Sequence, residues 1–281
     1  MQSTIDFGVL IDANYQLERQ TKSAYTELKF QPSQVASIIV GVRRDNTKLL
    51  NVSTKRMLAS VQVLQNIKLS TQYSEGFKLP SFFALGHPLV GNAELQPERS
   101  ENIEVSFDQN SMEKDWSTRL SIYQNTYIDL VDFDPELFTN VNRSKVRVRG
   151  AELSSSYDFN HNLSLMAQIS YTNINTYDPN INLRRRPKYK GSIKASYYVM
   201  PSLNFTVRFT KNASYFDSSV PTGAIELDGF NQFDVSALWR TKGQFDWRLQ
   251  LNNVLDSKHE EALGFSNAGT TIILNVAKRF Y

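Results

Sequence analysis

The chain has 281 residues, 31 Lys and Arg against 28 Asp and Glu for a net charge of +3, and no cysteine. So balanced a charge argues against a nucleic-acid-binding domain, which carries a strong basic excess. The missing cysteines exclude disulfides and thiolate metal sites, and three scattered histidines (His87, His161, His259) argue against a His-ligated metal. Neither cofactor nor metal is expected. Mean hydropathy is −0.40 and no run approaches the roughly 18 apolar residues of a membrane helix, yet a membrane β-barrel averages its alternating faces to just such a value.

From the first residues onward the chain repeats at period two. Ile5, Phe7, Val9 and Ile11 alternate with Asp6, Gly8, Leu10 and Asp12, directly after Met1, with neither a cationic nor an apolar leader region. Ile67, Leu69 and Tyr73 then oppose Lys68, Ser70 and Gln72, and Ile103, Val105 and Phe107 oppose Glu104, Ser106 and Asp108. Leu163, Leu165, Ala167, Ile169 and Tyr171 form the next apolar series, followed by Tyr189, Ile193, Ala195 and Tyr197. Leu203, Phe205, Val207 and Phe209 face away from Arg208; Phe245, Trp247, Leu249 and Leu251 face away from Asp246 and Arg248. The last series, Ile272, Leu274 and Val276, runs to Phe280. No stretch carries a helical stripe.

Connections alternate as well. Short turns are expected at Gln31–Gln34, Gln65–Asn66, Gln109–Asp115, Asn160–Asn162, Met200–Ser202 and Lys242–Gly243. Longer polar loops are expected at Tyr15–Thr21, Asp45–Arg56, Gly76–Ser100, Asp132–Ser144, Asn173–Arg186, Asp217–Gly229 and Asp256–Gly269. About fourteen strands of roughly nine to twelve residues, long enough to cross a bilayer at a tilt, predict an all-β, antiparallel, up-and-down transmembrane barrel. Mid-strand charges suit a wet lumen. A soluble β-sandwich is the alternative, in which the apolar faces would pack on one another.

Several stretches resemble TonB-dependent outer-membrane receptors. "QYSEGFKLPSFFAL" (Gln72–Leu85) is similar to their strand-to-loop segment with a Phe-x-x-Pro turn, and "GNAELQPERSENIEVSF" (Gly91–Phe107) to their "GNP-x-L-K-P-E-x-S" loop and following strand. "GVRRD" (Gly41–Asp45), "RGAELSSSYDF" (Arg149–Phe159), "RRPKYKGSIKASY" (Arg185–Tyr197), "LNNVLDSKHEE" (Leu251–Glu261) and the closing "NVAKRFY" fall in the family's order. The spacing of Phe216–Trp239 looks most like the cobalamin-receptor branch. The resemblance implies that residues 1–281 are the C-terminal part of a barrel of about twenty-two strands, lacking its plug domain. It further implies uptake of a bulky scarce nutrient, a siderophore or cobalamin, with energy from a TonB complex reached only through a plug. A self-closing passive pore is the alternative function, and an enzyme is not expected: no Cys nucleophile, G-x-S-x-G or Walker sequence appears.

Phe82, Phe83, His87, Tyr177, Tyr215 and Phe216 are candidates for the ligand mouth, since rigid rings anchor bulky ligands. Glu104, Arg208, Asp234, Asp246 and Arg248 are candidates for facing a lumen or a plug. Phe280 and Tyr281 match a terminal aromatic signal read by the barrel assembly machinery, and Lys278, one position where an apolar residue is usual, would snorkel to the interface. Remaining partners would be outer-membrane lipid, lipopolysaccharide and a small-molecule ligand, with no nucleic acid. The basic run Arg184, Arg185, Arg186, Lys188, Lys190 reads as a solvated loop end, or more sharply as a patch for an anionic ligand or lipopolysaccharide phosphates.

Overall fold

The computed structural model describes residues 16–47, 50–111, 115–177, 183–219 and 222–278. Thirteen strands form one antiparallel sheet: β1 Thr21–Ser33, β2 Ala36–Thr47, β3 Asn51–Leu64, β4 Ile67–Lys78, β5 Glu98–Ser111, β6 Trp116–Asp134, β7 Thr139–Asp158, β8 Leu163–Asn175, β9 Tyr189–Met200, β10 Leu203–Asn212, β13 Phe230–Arg240, β14 Phe245–Asn252 and β17 Thr271–Lys278. Two small hairpins sit in the long loops, β11 Tyr215–Ser219 with β12 Gly223–Leu227, and β15 Glu260–Ala262 with β16 Phe265–Ser266. A short helix, α1 Phe82–Gly86, lies between β4 and β5. The first expected strand, Ile5 to Ile11, lies outside the described residues.

Residues paired across antiparallel strands share a face, so the register turns the period-two sequence into rows. Leu69, Phe107, Leu120, Leu153 and Ile169 make one apolar row across five strands. Leu165, Ala195, Val207, Val235, Leu251 and Ile272 make another across six. On the reverse side, Ser70, Ser106, Ser121, Glu152, Ser170 and Lys190 stand in line. A one-residue slip anywhere would exchange the two faces, so the pattern fixes the register.

Nothing among the described residues packs on the apolar face. Among the described residues the buried apolar side chains are Ala84, Leu95, Val146, Tyr215 and Leu227, all toward the long-loop end, while Leu28, Ile122, Ile169 and Leu274 are each more than half exposed. Phe205 and Trp247 keep 41% and 39% of their surface open rather than meeting in a dry interior, which removes the sandwich alternative. Leaving a large apolar side chain in water costs about 1.5–3 kcal/mol, so this face requires hydrocarbon. No described helix is long and apolar enough to cross a membrane; the strands supply the crossing.

Two expected loops are strand instead. Asp45 and Thr47 belong to β2, and β3 begins at Asn51, with pairing up to Asn46↔Asn51. The Asp132–Ser144 stretch is the far half of a long hairpin, paired to Asp134↔Thr139. There Asp134 Oδ1 accepts from the Glu136 and Leu137 amides, closing the turn, and Arg143 pairs with Asp132 and Asp134 at 3.4 and 3.1 Å. Asp129 keeps the register at φ 58°, its carbonyl accepting from Asn142 Nδ2. The turn expected at Gln109–Asp115 likewise starts later, since β5 runs to Ser111.

Candidate functional site

The long-loop end of the sheet is built from four insertions. In the β4–β5 loop Ser81 Oγ accepts from the Ala84 amide and starts α1, and His87 Nδ1 accepts from the Leu89 and Val90 amides just after it. His87 is thereby buried, a turn-forming residue in its loop. The loop is stitched to the β6–β7 hairpin: Asn140 Nδ2 donates to the Val90 carbonyl at 2.6 Å, and Asn92 Nδ2 to the Asn140 carbonyl at 2.9 Å. Phe82 lies under the Arg19 guanidinium at 4.9 Å, and Phe83 is exposed.

The other three insertions meet at one carboxylate. Asp217, on β11, is 1% exposed. Its Oδ2 accepts from Arg185 Nε of the β8–β9 loop at 3.0 Å and from the Leu263 amide of the β14–β17 loop at 2.9 Å. Burial raises the Asp217 pKa, but the hydrogen bonds from Leu263 and Arg185 prevail and hold it below the ordinary carboxylate value. Tyr215 Oη donates toward the Glu260 and Glu261 carbonyls at 3.2 Å, which buries this ring as a brace between loops. Phe216 remains partly exposed, and its carbonyl accepts from the Arg185 amide. Tyr177 sits apart, half exposed, beneath Lys145 and Arg147 at 5.1 and 5.3 Å.

Below this knot the polar face carries the charges. Lys194, Arg208 and Asp234 stand side by side on β9, β10 and β13. Asp234 Oδ1 accepts from Gln232 Nε2 and from the Asn253 amide, so it also anchors the β14–β17 loop. A cavity of about 430 Å³ opens here, lined among others by Arg185, Lys190, Arg208, Tyr215, Gln232 and Asp234. Farther along, Arg119 bridges Glu104 at 3.4 Å and Asp108 at 3.1 Å. Asp246 and Arg248 are on the same face of β14, near the short-turn end. The five charges expected on the polar side thus share one face, but in three separate groups.

Sequence reasoning did not single out Asp217, Asn253 or Arg119 as site residues. Asp217 and Asn253 act through contacts 19 to 46 residues away in the chain, which no local pattern encodes. Arg119 has a readable signal, its polar parity on β6 opposite Asp108 on β5. Phe280 and Tyr281 lie outside the described residues. Lys278 faces the apolar side at the short-turn end, its Nζ 5.3 Å from the Phe245 ring centre.

Solved structures share this architecture. The chain is similar to the copper transporter OprC (TM-score 0.81, 15% identity, 93% of this chain and 48% of that one). It is similar also to the ferric-catecholate import receptor Fiu from E. coli K12 in its closed form (0.75, 14%, 92% and 44%). The ferripyoverdine receptor of the Pseudomonas aeruginosa outer membrane follows (0.73, 12%, 96% and 40%). At such identities the likeness speaks for the fold, and the chain spans under half the length of these three. The family model described as "TonB dependent receptor-like, beta-barrel" matches residues 3–254. The chain therefore belongs to the TonB-dependent receptor-like β-barrel family, a family of outer-membrane transporters rather than of enzymes.

Proposed function

We propose that this chain is the C-terminal wall of a receptor barrel that captures a bulky, scarce nutrient at its long-loop end and passes it along its polar face. The observation that carries this reading is the cavity beneath the Asp217 knot. It presents Arg185, Lys190 and Arg208 against Asp234 and Glu261, and so favours an anionic cargo or an anionic chelate of a metal. Of the expected mouth aromatics, Tyr177, Phe83 and Phe216 have the exposure that contact with such a cargo requires. Glu104, Arg119, Asp246 and Arg248 would then meet a plug domain.

Residues 1–281 are read as one barrel-wall domain. β1 pairs only with β2 and β17 only with β14 among the described residues, and each unpaired backbone group in hydrocarbon costs several kcal/mol. Further strands of a longer receptor would close the wall between those edges. A TonB complex acting through the plug would supply energy, the assembly machinery would read Phe280 and Tyr281, and lipid would surround the wall. Siderophore or copper chelates accord with the neighbours' names, and cobalamin with the Phe216–Trp239 spacing.

Uptake by cells expressing the receptor, with a radiolabelled ferric catecholate, a ferric hydroxamate, a copper chelate and cobalamin offered in parallel, tests the reading. One cargo should accumulate, and Lys190→Gln with Arg208→Gln should weaken its binding about a hundredfold or more, on the scale of two charge-assisted contacts. Accumulation of none, or of all four without energy, would overturn it.

A further inference from the structure

The outward face changes character abruptly toward the long loops. Its apolar band ends on the row Val105, Ile122, Ala151, Tyr171 and Tyr189. The next rows on the same face are Ile103, Gln124, Arg149 and Asn173, then Glu101, Thr126, Arg147 and Asn175, then Arg99, Ile128 and Lys145. Arg149, Arg147 and Lys145 thus stack along one strand over about 13 Å. Lys188 joins them from the neighbouring edge, 5.9 Å above the rings of Tyr171 and Tyr189.

These cations lack the carboxylate partners that others on this wall have, Lys145 and Arg147 resting over the Tyr177 ring instead. Arg143, one step farther out, is held by two aspartates. Among the described residues none of Arg99, Lys145, Arg147, Arg149 and Lys188 has a carboxylate within ion-pair distance; Arg149 Nε meets only the Gln124 amide oxygen at 2.8 Å. Arg147 Nε is buried with no hydrogen-bond partner at all. Glu101 is the one carboxylate in these rows, with Glu75 paired beside it on β4. Five cations against these two acids, directly above a hydrocarbon band, need anions at headgroup depth, and phosphates are the anions there.

We propose that this stripe binds the phosphates of a phosphorylated lipid headgroup in the outer leaflet. Arg147 and Arg149 offer planar forks suited to phosphate oxygens. Lys145, Arg99 and Lys188 flank them as point charges, and Tyr171 and Tyr189 mark the acyl boundary. The inference rests on the apolar face meeting lipid, but not on the cargo, because the stripe lies on the opposite side of the wall from the cavity.

Binding of diphosphorylated lipid A to the purified receptor in dodecyl maltoside micelles tests it. At about fivefold per charge near the surface, exposed Arg149→Gln alone should weaken binding about fivefold, and Arg147→Gln with Arg149→Gln about 25-fold. Glu101→Gln should tighten it, and Lys68→Gln, on the polar face, should leave it unchanged. Cargo binding should be unaffected in the double variant, so loss of lipid binding and loss of cargo binding are read separately. Equal binding by Arg149→Gln, equal binding of enzymatically dephosphorylated lipid A, or full competition by millimolar inorganic phosphate would each overturn the proposal, the last by revealing a free-anion site.

Discussion

Asp217 is where three loops depend on one side chain. Its carboxyl is held below the ordinary value of about 3.9, so the stability it contributes is fully present above that value and is lost only as the pH falls through the lower, folded one. The loops should stay joined down to about pH 4 and separate only at lower pH, as the lowered folded value is passed. Asp217→Asn should produce the separated state at neutral pH, at a cost of about 1–3 kcal/mol, because the Leu263 amide and the Arg185 guanidinium lose a charged acceptor. The half-exposed Arg185 places its share at the low end. Hydrogen exchange at the Leu263 amide measures both effects. Protection unchanged by the substitution would show that β15 and β16 are held by Tyr215 instead.

At the scale of the strand, parity decides what a position tolerates. Leu120 lies in mid-band between Phe107 and Leu153, whereas the next residue, Ser121, faces Glu104 and Glu152 on the polar side. Leu120→Arg should cost about 2–4 kcal/mol of insertion stability, while Ser121→Arg should cost little, and heat-modifiable electrophoretic mobility reports the folded fraction of each. Parity is also why so much of the fold was legible. Where one face meets hydrocarbon, as at Leu163–Tyr171 or Leu203–Phe209, the sequence must alternate, and the strands stand where the pattern puts them. Where the hairpin climbs past the membrane, water wets both faces and alternation carries no information. Asp132, Asp134 and Asn140 then read as loop although the ladder continues through them. The same reason hid the end of β2, where Arg43 and Asp45 pair with each other and with Ser23. The candidate site was less legible still. Glu104, Arg208 and Asp234 follow from parity, but the knot at Asp217 and the burial of His87 and Tyr215 arise from contacts between loops.

For the molecule as a whole, the tryptophans give a test of how it sits. All three lie on the apolar face close to the short turns: Trp116 opens β6 opposite Tyr157, and Trp239 pairs with Trp247 across β13 and β14. Phe245 and Lys278 share that level, the ammonium resting over the ring. Opposite them, at the long-loop end, Tyr171 and Tyr189 close the band beneath the cationic rows. Amphipathic rings at both ends of an apolar belt match the two interfaces of a bilayer. The tryptophan fluorescence should therefore be quenched by lipids labelled just below the headgroup more than by lipids labelled at the chain terminus, and only weakly by aqueous acrylamide. Its source at a single level gives the measurement a sign. Labels restricted to the leaflet beside the short turns should quench strongly, and the same labels in the leaflet beside the long loops should not. Equal quenching from both leaflets would mean that the wall does not span with its loops on one side, and strong acrylamide quenching would mean that the apolar face is not in lipid.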